Sequence, residues 1–448
     1  MPINVARPDD NVHTFFGQCS TEVLNRLMTP ELIDSLQQTL APWHRQRRFT
    51  LRTMLWLGLF AAGHAALGSM EMILQAAIAA FEGQPCMPLR PHTLTQSGWS
   101  RARAGLSLGL LKTLWHHWLE MARVQAGDSA YFAGMRLVAL DKKTLTVPQA
   151  RHREFGSHDT RGVLGPTQAA LLVAYDVCLR APIEFTLGRC DRDESPLARR
   201  ILRRLDERCL LLIDSGFYGI GLFAEILDAN HHFLTVMRSN GRPKLIKCLS
   251  RGDGLYVIRP GRSYTHARYP DLPRSMLVRI VEVHRRGYPT RRLVTSLLDE
   301  QAVTREMLID LYHRRWHIET FFRELSSDVQ FEHWHTRTVK GLYVELLFTM
   351  AYVTAVRLEM ARAATQTGVP PGMLSFSRSA PVCMRVWSSW GKSGPERHGE
   401  LHRQLIDHLG TLRIDIRPNR WFERDTQKRR AASRAKHAEV LRSKRNAA

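Results

Sequence analysis

The chain has 448 residues, 44% of them hydrophobic, and carries 64 Lys plus Arg against 42 Asp plus Glu, a net charge of +22 with a pI near 10.3. That length exceeds what one hydrophobic core covers, and that apolar content excludes a disordered chain, so two or three folded domains are expected. The positive excess asks for a polyanionic partner, since Lys and Arg that neutralise phosphates release counterions; nucleic acid leads, with ribosomal, membrane-surface and heparin-binding proteins sharing the property.

The N-terminus, MPINVARPDDNVHTFF, lacks the apolar core of a signal peptide. Residues 19–126 show helical spacing, as in Leu51, Leu55, Leu59 and in Leu111, Leu114, Trp118, with Arg45, Arg47, Arg48 and Arg52 at the edge of the most apolar helix. The longest apolar stretch, residues 54–70, is short for a membrane span, contains His64 and runs into Glu71 and Gln75, so it reads as a buried helix and no membrane partner is expected. Seven cysteines without CxxC spacing predict a reduced, cytoplasmic protein with neither zinc module nor disulfide framework.

After Asp128 the pattern turns to short β-rich runs over 136–140, 168–175, 183–187 and 210–213, with a helix at 196–205, which together predict an α/β sheet. A β-rich tract over 232–298, punctuated by Asn240-Gly241, Gly252-Asp253-Gly254 and Pro260-Gly261, reads as an insertion. Helices follow over 304–325 and 342–358, then a Pro370-Pro371 linker and a basic tail with Lys428, Arg429, Arg430, Arg434, Lys436, Arg442, Lys444 and Arg445. The expected domains are a helical DNA-binding segment 1–130, a catalytic segment 131–368 with its insertion at about 231–303, and a basic, helical C-terminal region 369–448.

Asp141 follows the strand RLVAL and Asp214 follows CLLLI, so both carboxylates should emerge at strand C-terminal ends, where open α/β sheets place ligands. If the two strands are neighbours, the carboxylates converge and need a cation between them; Mg²⁺ or Mn²⁺ with oxygen ligands meets that need. Either aspartate alone reads more readily as a turn former, and Asp191, Asp193 and Glu194 offer competing carboxylates. On the helix YHRRWHIETFFREL, Tyr312, Arg315 and Glu319 form a row beside the apolar stripe Leu308, Leu311, Ile318, Phe322, Leu325, putting a carboxylate, an arginine and a tyrosine within reach of a phosphate. The plain alternative is a surface Arg315–Glu319 pair.

These segments, LDKKTLTVP, LLLIDSGFYG and YHRRWHIETFFREL, resemble the DDE transposases of bacterial insertion sequences, in the branch marked by Tyr, two residues, Arg, three residues, Glu, six residues, Lys (the insertion-sequence-four family). The resemblance runs from about Arg47 to the basic RPNRWFERDTQKRR segment. It implies a ribonuclease-H-like catalytic core and a metal-dependent DNA cleavage and strand transfer, with Asp141, Asp214 and Glu319 holding two ions. Tyr312, Arg315, Lys142 and Arg323 are the candidate contacts to DNA phosphate, on transposon ends and target double-stranded DNA, by a homodimer in the DNA complex and a protein associated with the bacterial nucleoid. Two departures stand out: Ser326 occupies the hallmark lysine position, with Lys340 the next lysine, and Lys142 and Lys143 follow the first aspartate where the family often has glycine. The lysines either approach phosphate or point to solvent. The rival readings are a noncatalytic DNA-binding derivative of a transposase and a structure-selective nuclease of the same fold.

Overall fold

The computed structural model describes residues 30–38, 49–82, 91–158, 165–238, 241–260, 273–284, 289–389 and 395–414. Arg45, Arg47, Arg48 and the whole basic tail lie outside the described residues. The residues up to Leu412 form one unit and those from Arg413 another.

The N-terminal part is helical: α1 (Pro30–Gln38), α2 (Leu51–Gly63), α3 (Met70–Phe81), α4 (Gln96–Gly105) and α5 (Leu108–Ala126). Thr50, Ser69, Thr95 and Ser107 each cap the helix that follows by accepting a backbone N–H with the side-chain oxygen, satisfying a donor that the first turn leaves unpaired. α2 is buried on nearly every side, as its all-round apolar sequence requires.

The strands are β1 (Tyr131–Phe132), β2 (Met135–Thr146), β3 (Gln168–Asp176), β4 (Ala181–Arg189), β5 (Cys209–Ile213), β6 (His232–Val236), β7 (Lys244–Ser250), β8 (Asp253–Ile258), β9 (Met276–Val283) and β10 (Arg291–Thr295). Between them lie α6 (His152–Phe155), α7 (Ser195–Leu202) and α8 (Ile220–Asp228). All ten strands form one mixed sheet in the order β4-β3-β2-β5-β6-β10-β9-β8-β7, with β1 beside β2. β2, β5 and β6 run parallel, and the other pairings are antiparallel. The central strands β3 and β5 are apolar without alternation because both faces are covered. The β-rich tract is hydrogen-bonded into this same sheet: β6 pairs with β5, and β10 continues from β6.

After the sheet come α9 (Arg305–Arg314), α10 (Trp316–Glu324), α11 (Val339–Thr367), α12 (Phe376–Ser389) and α13 (Pro395–Thr411). α11 extends well beyond the predicted 342–358 and packs against α2, α5, α12 and α13. A side chain on Gly58 of α2 would collide with the Phe348 ring of α11, so glycine permits this close approach. α11 is long and apolar enough to cross a membrane, yet 72% of its most apolar window is buried inside the protein. Trp115 of α5 donates its indole N–H to Thr354 at 3.0 Å, and fully buried Glu359 is held by Arg362 and His402, both at 2.9 Å.

One buried ion pair lies beyond β10's side of the sheet. Arg279 of β9 and Asp253 of β8, 1% and 2% exposed, form a bidentate pair at 2.8 and 2.5 Å. The same guanidinium donates to the Val303 carbonyl at 2.6 Å, just ahead of α9, which ties the sheet to the start of the helices that carry Tyr312 and Glu319.

Candidate active site

β2 runs to Thr146, so the expectation that Asp141 emerges at a strand end is corrected: Thr144, Leu145 and Thr146 keep the strand going against β3, with Asp141 opposite Val173. What ends is the neighbour. The parallel β2–β5 register stops at Leu140↔Ile213, so Asp141 and Asp214 occupy the next step on adjacent strands, about 4.8 Å apart in the pairing direction. The loop beginning at Asp214 is pinned from β6 and the residues just after it: Arg238 donates to the carbonyls of Ser215 and Gly216 at 3.0 and 2.8 Å, and Thr235 of β6 donates to that of Asp214 at 3.4 Å.

The third carboxylate comes from the helices. The single helix expected over 304–325 is divided into α9 and α10 at Arg315, which keeps helical dihedrals while the hydrogen bonds tighten: Arg315 N–H bonds Tyr312 C=O and Ile318 N–H bonds Arg315 C=O, each at 3.2 Å in the i→i+3 manner. A π-helical turn, Leu325–Val329, closes it. Arg315 reaches Asp141 at 3.6 Å and Glu319 at 3.0 Å, and its side chain is 7% exposed, which rules out a plain surface pair. Its guanidinium stands 5.7 Å from the Tyr312 ring and 5.4 Å from that of Trp316, and its Nε is buried without a partner.

Asp141 accepts the Lys142 backbone N–H at 2.8 Å. Burial pushes its carboxyl up to about 6, Glu319 and Asp214 push the same way, and the Lys142 N–H and Arg315 pull it down. The folded protein therefore holds this proton more tightly than the unfolded chain. With divalent ions chelated, stability from this group is fully present below the ordinary carboxylate value of 3.8 and is lost as pH rises through about 6. The loss is on the order of 3 kcal/mol. Denaturant unfolding across that range should show the decline in the parent and a flatter profile in Asp141→Asn; equal slopes would remove the assignment.

The other expected contacts are placed as follows. Tyr312 is buried beside Arg315, and burial raises its phenol. Lys142 is ion-paired with Glu194 at 2.5 Å and Lys143 with Glu332 at 3.6 Å. Arg323 is exposed one turn beyond Glu319. Ser326 is exposed in the π-helical turn and donates to Phe322 C=O at 2.9 Å, while the Lys340 ammonium donates to Ala104 C=O at 2.7 Å and so is engaged away from this site. The competing acid Asp191 is taken by Arg189 and Asp193 accepts the Ser195 N–H. Sequence reasoning missed Arg238 and Glu332, and offers Glu194 as a competing carboxylate where the structure makes it the ion-pair partner of Lys142; these contacts are distant in the chain and no local pattern announces them.

Among the described residues, no group of three or more His, Cys, Asp or Glu side chains already converges as a metal cage. The donor set still suits hard divalent ions: Asp141, Asp214 and Glu319 offer only carboxylate oxygens, and all three act electrostatically on Arg315, the positive charge that now balances them.

A family model described as the transposase DDE domain matches residues 132–354, which include all three carboxylates. The chain is 24% identical over 418 residues to transposase InsG of insertion sequence element IS4 from Escherichia coli strain K12, covering 91% of this chain and 92% of that protein. Among solved structures it is similar to the piggyBac transposase synaptic complex with hairpin DNA, at 10% identity and a TM-score of 0.42, covering 90% of this chain and 86% of that one.

Proposed function

We propose, for a chain that belongs to the DDE transposases of bacterial insertion sequences, that Asp141, Asp214 and Glu319 are its catalytic carboxylates and bind two divalent ions, Mg²⁺ or Mn²⁺. The observation that carries this is the juxtaposition of Asp141 on β2 and Asp214 just past the end of the parallel neighbour β5, with Arg315 linking Asp141 to Glu319. The β4-β3-β2-β5-β6 order, three antiparallel strands followed by two parallel to β2, supports a ribonuclease-H-like core.

The chemistry is DNA transposition: hydrolysis at the element's ends, then attack by the freed 3′-hydroxyl on target DNA. Bound divalent ions supply activation of the attacking oxygen and stabilisation of the leaving one. The protein positions the rest. Asp141 is fixed by its strand and its backbone hydrogen bond, and Asp214 by a loop that Arg238 pins. Arg315 and Tyr312 hold a phosphate near the cut, with Lys142 and Arg323 as further backbone contacts once Lys142 leaves Glu194. The segment 1–130 and the basic region 369–448 grip the DNA ends, and two copies of the chain pair on them in the cytoplasm, at the nucleoid.

DNA carrying the element's own ends tests this directly. Nicking and joining in Mg²⁺ that stop with chelator and return with added metal are the expected result; end binding without cleavage would favour the noncatalytic derivative, and cleavage without joining the nuclease.

A further inference from the structure

Arg315 holds a position at odds with a residue waiting for DNA. Its guanidinium bridges Asp141 and Glu319, 3.6 and 3.0 Å away, and feels Asp214 as well. It is 7% exposed, so water does little to solvate it, and its Nε–H is buried with no acceptor. An unsatisfied buried donor is costly, and a phosphate is the bidentate acceptor whose geometry fits a guanidinium.

We propose that Arg315 is an internal stand-in for the metal charge, a latch that occupies Asp141 and Glu319 until DNA phosphate draws it away, so that divalent ions and DNA load cooperatively. This rests on Asp141, Asp214 and Glu319 being the metal ligands. A guanidinium and a divalent ion compete for the same carboxylate oxygens, because two cations that close repel one another. The latch needs no diffusion, since Arg315 sits one helical turn before Glu319. The rings of Tyr312 and Trp316 flank the guanidinium and give it a surface on which to swing. Phosphate that removes Arg315 from the carboxylates must raise metal affinity, and metal must raise phosphate affinity by the same factor.

The test counts Mn²⁺ bound to the full chain by electron paramagnetic resonance, without nucleic acid, in the parent, Arg315→Gln and Asp214→Asn. Arg315→Gln should bind Mn²⁺ about tenfold more tightly than the parent, and Asp214→Asn should lose it. Equal or weaker binding by Arg315→Gln overturns the latch while leaving the metal site intact; Asp214→Asn that binds like the parent overturns the metal site itself. If melting shows that Arg315→Gln is unfolded, the parent decides. Its Mn²⁺ affinity, corrected with Asp214→Asn as the blank, should rise several-fold on adding a short random-sequence duplex, and no rise overturns the latch.

Discussion

Glu319→Gln is expected to lose at least about a thousandfold in both end cleavage and joining while keeping its fold and its affinity for DNA ends. Glutamine has the size of glutamate and nearly its helix propensity, and the Glu319 side chain is 38% exposed with Arg315 as its ion-pair partner. Arg315 is 7% exposed, but the amide oxygen of glutamine can still accept from it and Asp141 stays beside it, so the cost is on the order of 1–2 kcal/mol of stability, too little to unfold the chain. What the substitution removes is a charged oxygen ligand, and transition-state stabilisation by a metal is worth several kcal/mol, each 1.36 kcal/mol being about tenfold in rate. Cleavage rates in Mg²⁺, read beside a melting curve and an end-binding titration, separate the two effects. Cleavage within tenfold of the parent would strip Glu319 of its role.

Arg279→Met should destabilise the protein by about 3–5 kcal/mol, the cost of leaving a buried carboxylate without its partner. Asp253 is 2% exposed and receives two hydrogen bonds from Arg279, and nothing in its surroundings lets water replace them. The Val303 carbonyl loses its donor in the same stroke, which loosens the entry to α9. Replacing both partners, Asp253→Leu with Arg279→Met, should recover most of the loss, because two apolar side chains need no solvation. Urea unfolding of the parent and the two variants measures this. A single-variant cost below about 1 kcal/mol would show that the pair is not what holds β8 to β9.

Sequence patterns place β3, β4 and β5 closely and the central strand β2 only in part. β3, β4 and β5 fall within two residues of the expected runs; β3 and β5, buried on both faces, are continuous apolar stretches with sharp ends. Asp214 sits where expected for that reason. β2 was half read: Lys142 and Lys143 interrupt its apolar run, and the strand persists because β3 supplies hydrogen bonds that no local propensity reveals. The joining of the β-rich tract to the sheet through β6 and β10 is likewise a nonlocal pairing. The Arg315–Glu319 relation was legible because i and i+4 share a helix face, whereas the burial of Arg315 against Asp141 depends on how the helix docks on β2. Arg238 is 22 residues beyond the carbonyl of Gly216 that it holds, and a lone exposed arginine carries no mark of such a task.

The central place of α11 also sets the order of events when the chain is made. α2 and α5 leave the ribosome first and must wait for more than 200 further residues, from Ala126 to Val339, before the helix they pack against exists. Through that interval their apolar faces are uncovered, the state in which partly folded chains aggregate. A nascent chain that stops before Val339 lacks the helix that covers those faces, so truncation there should leave them open to aggregation.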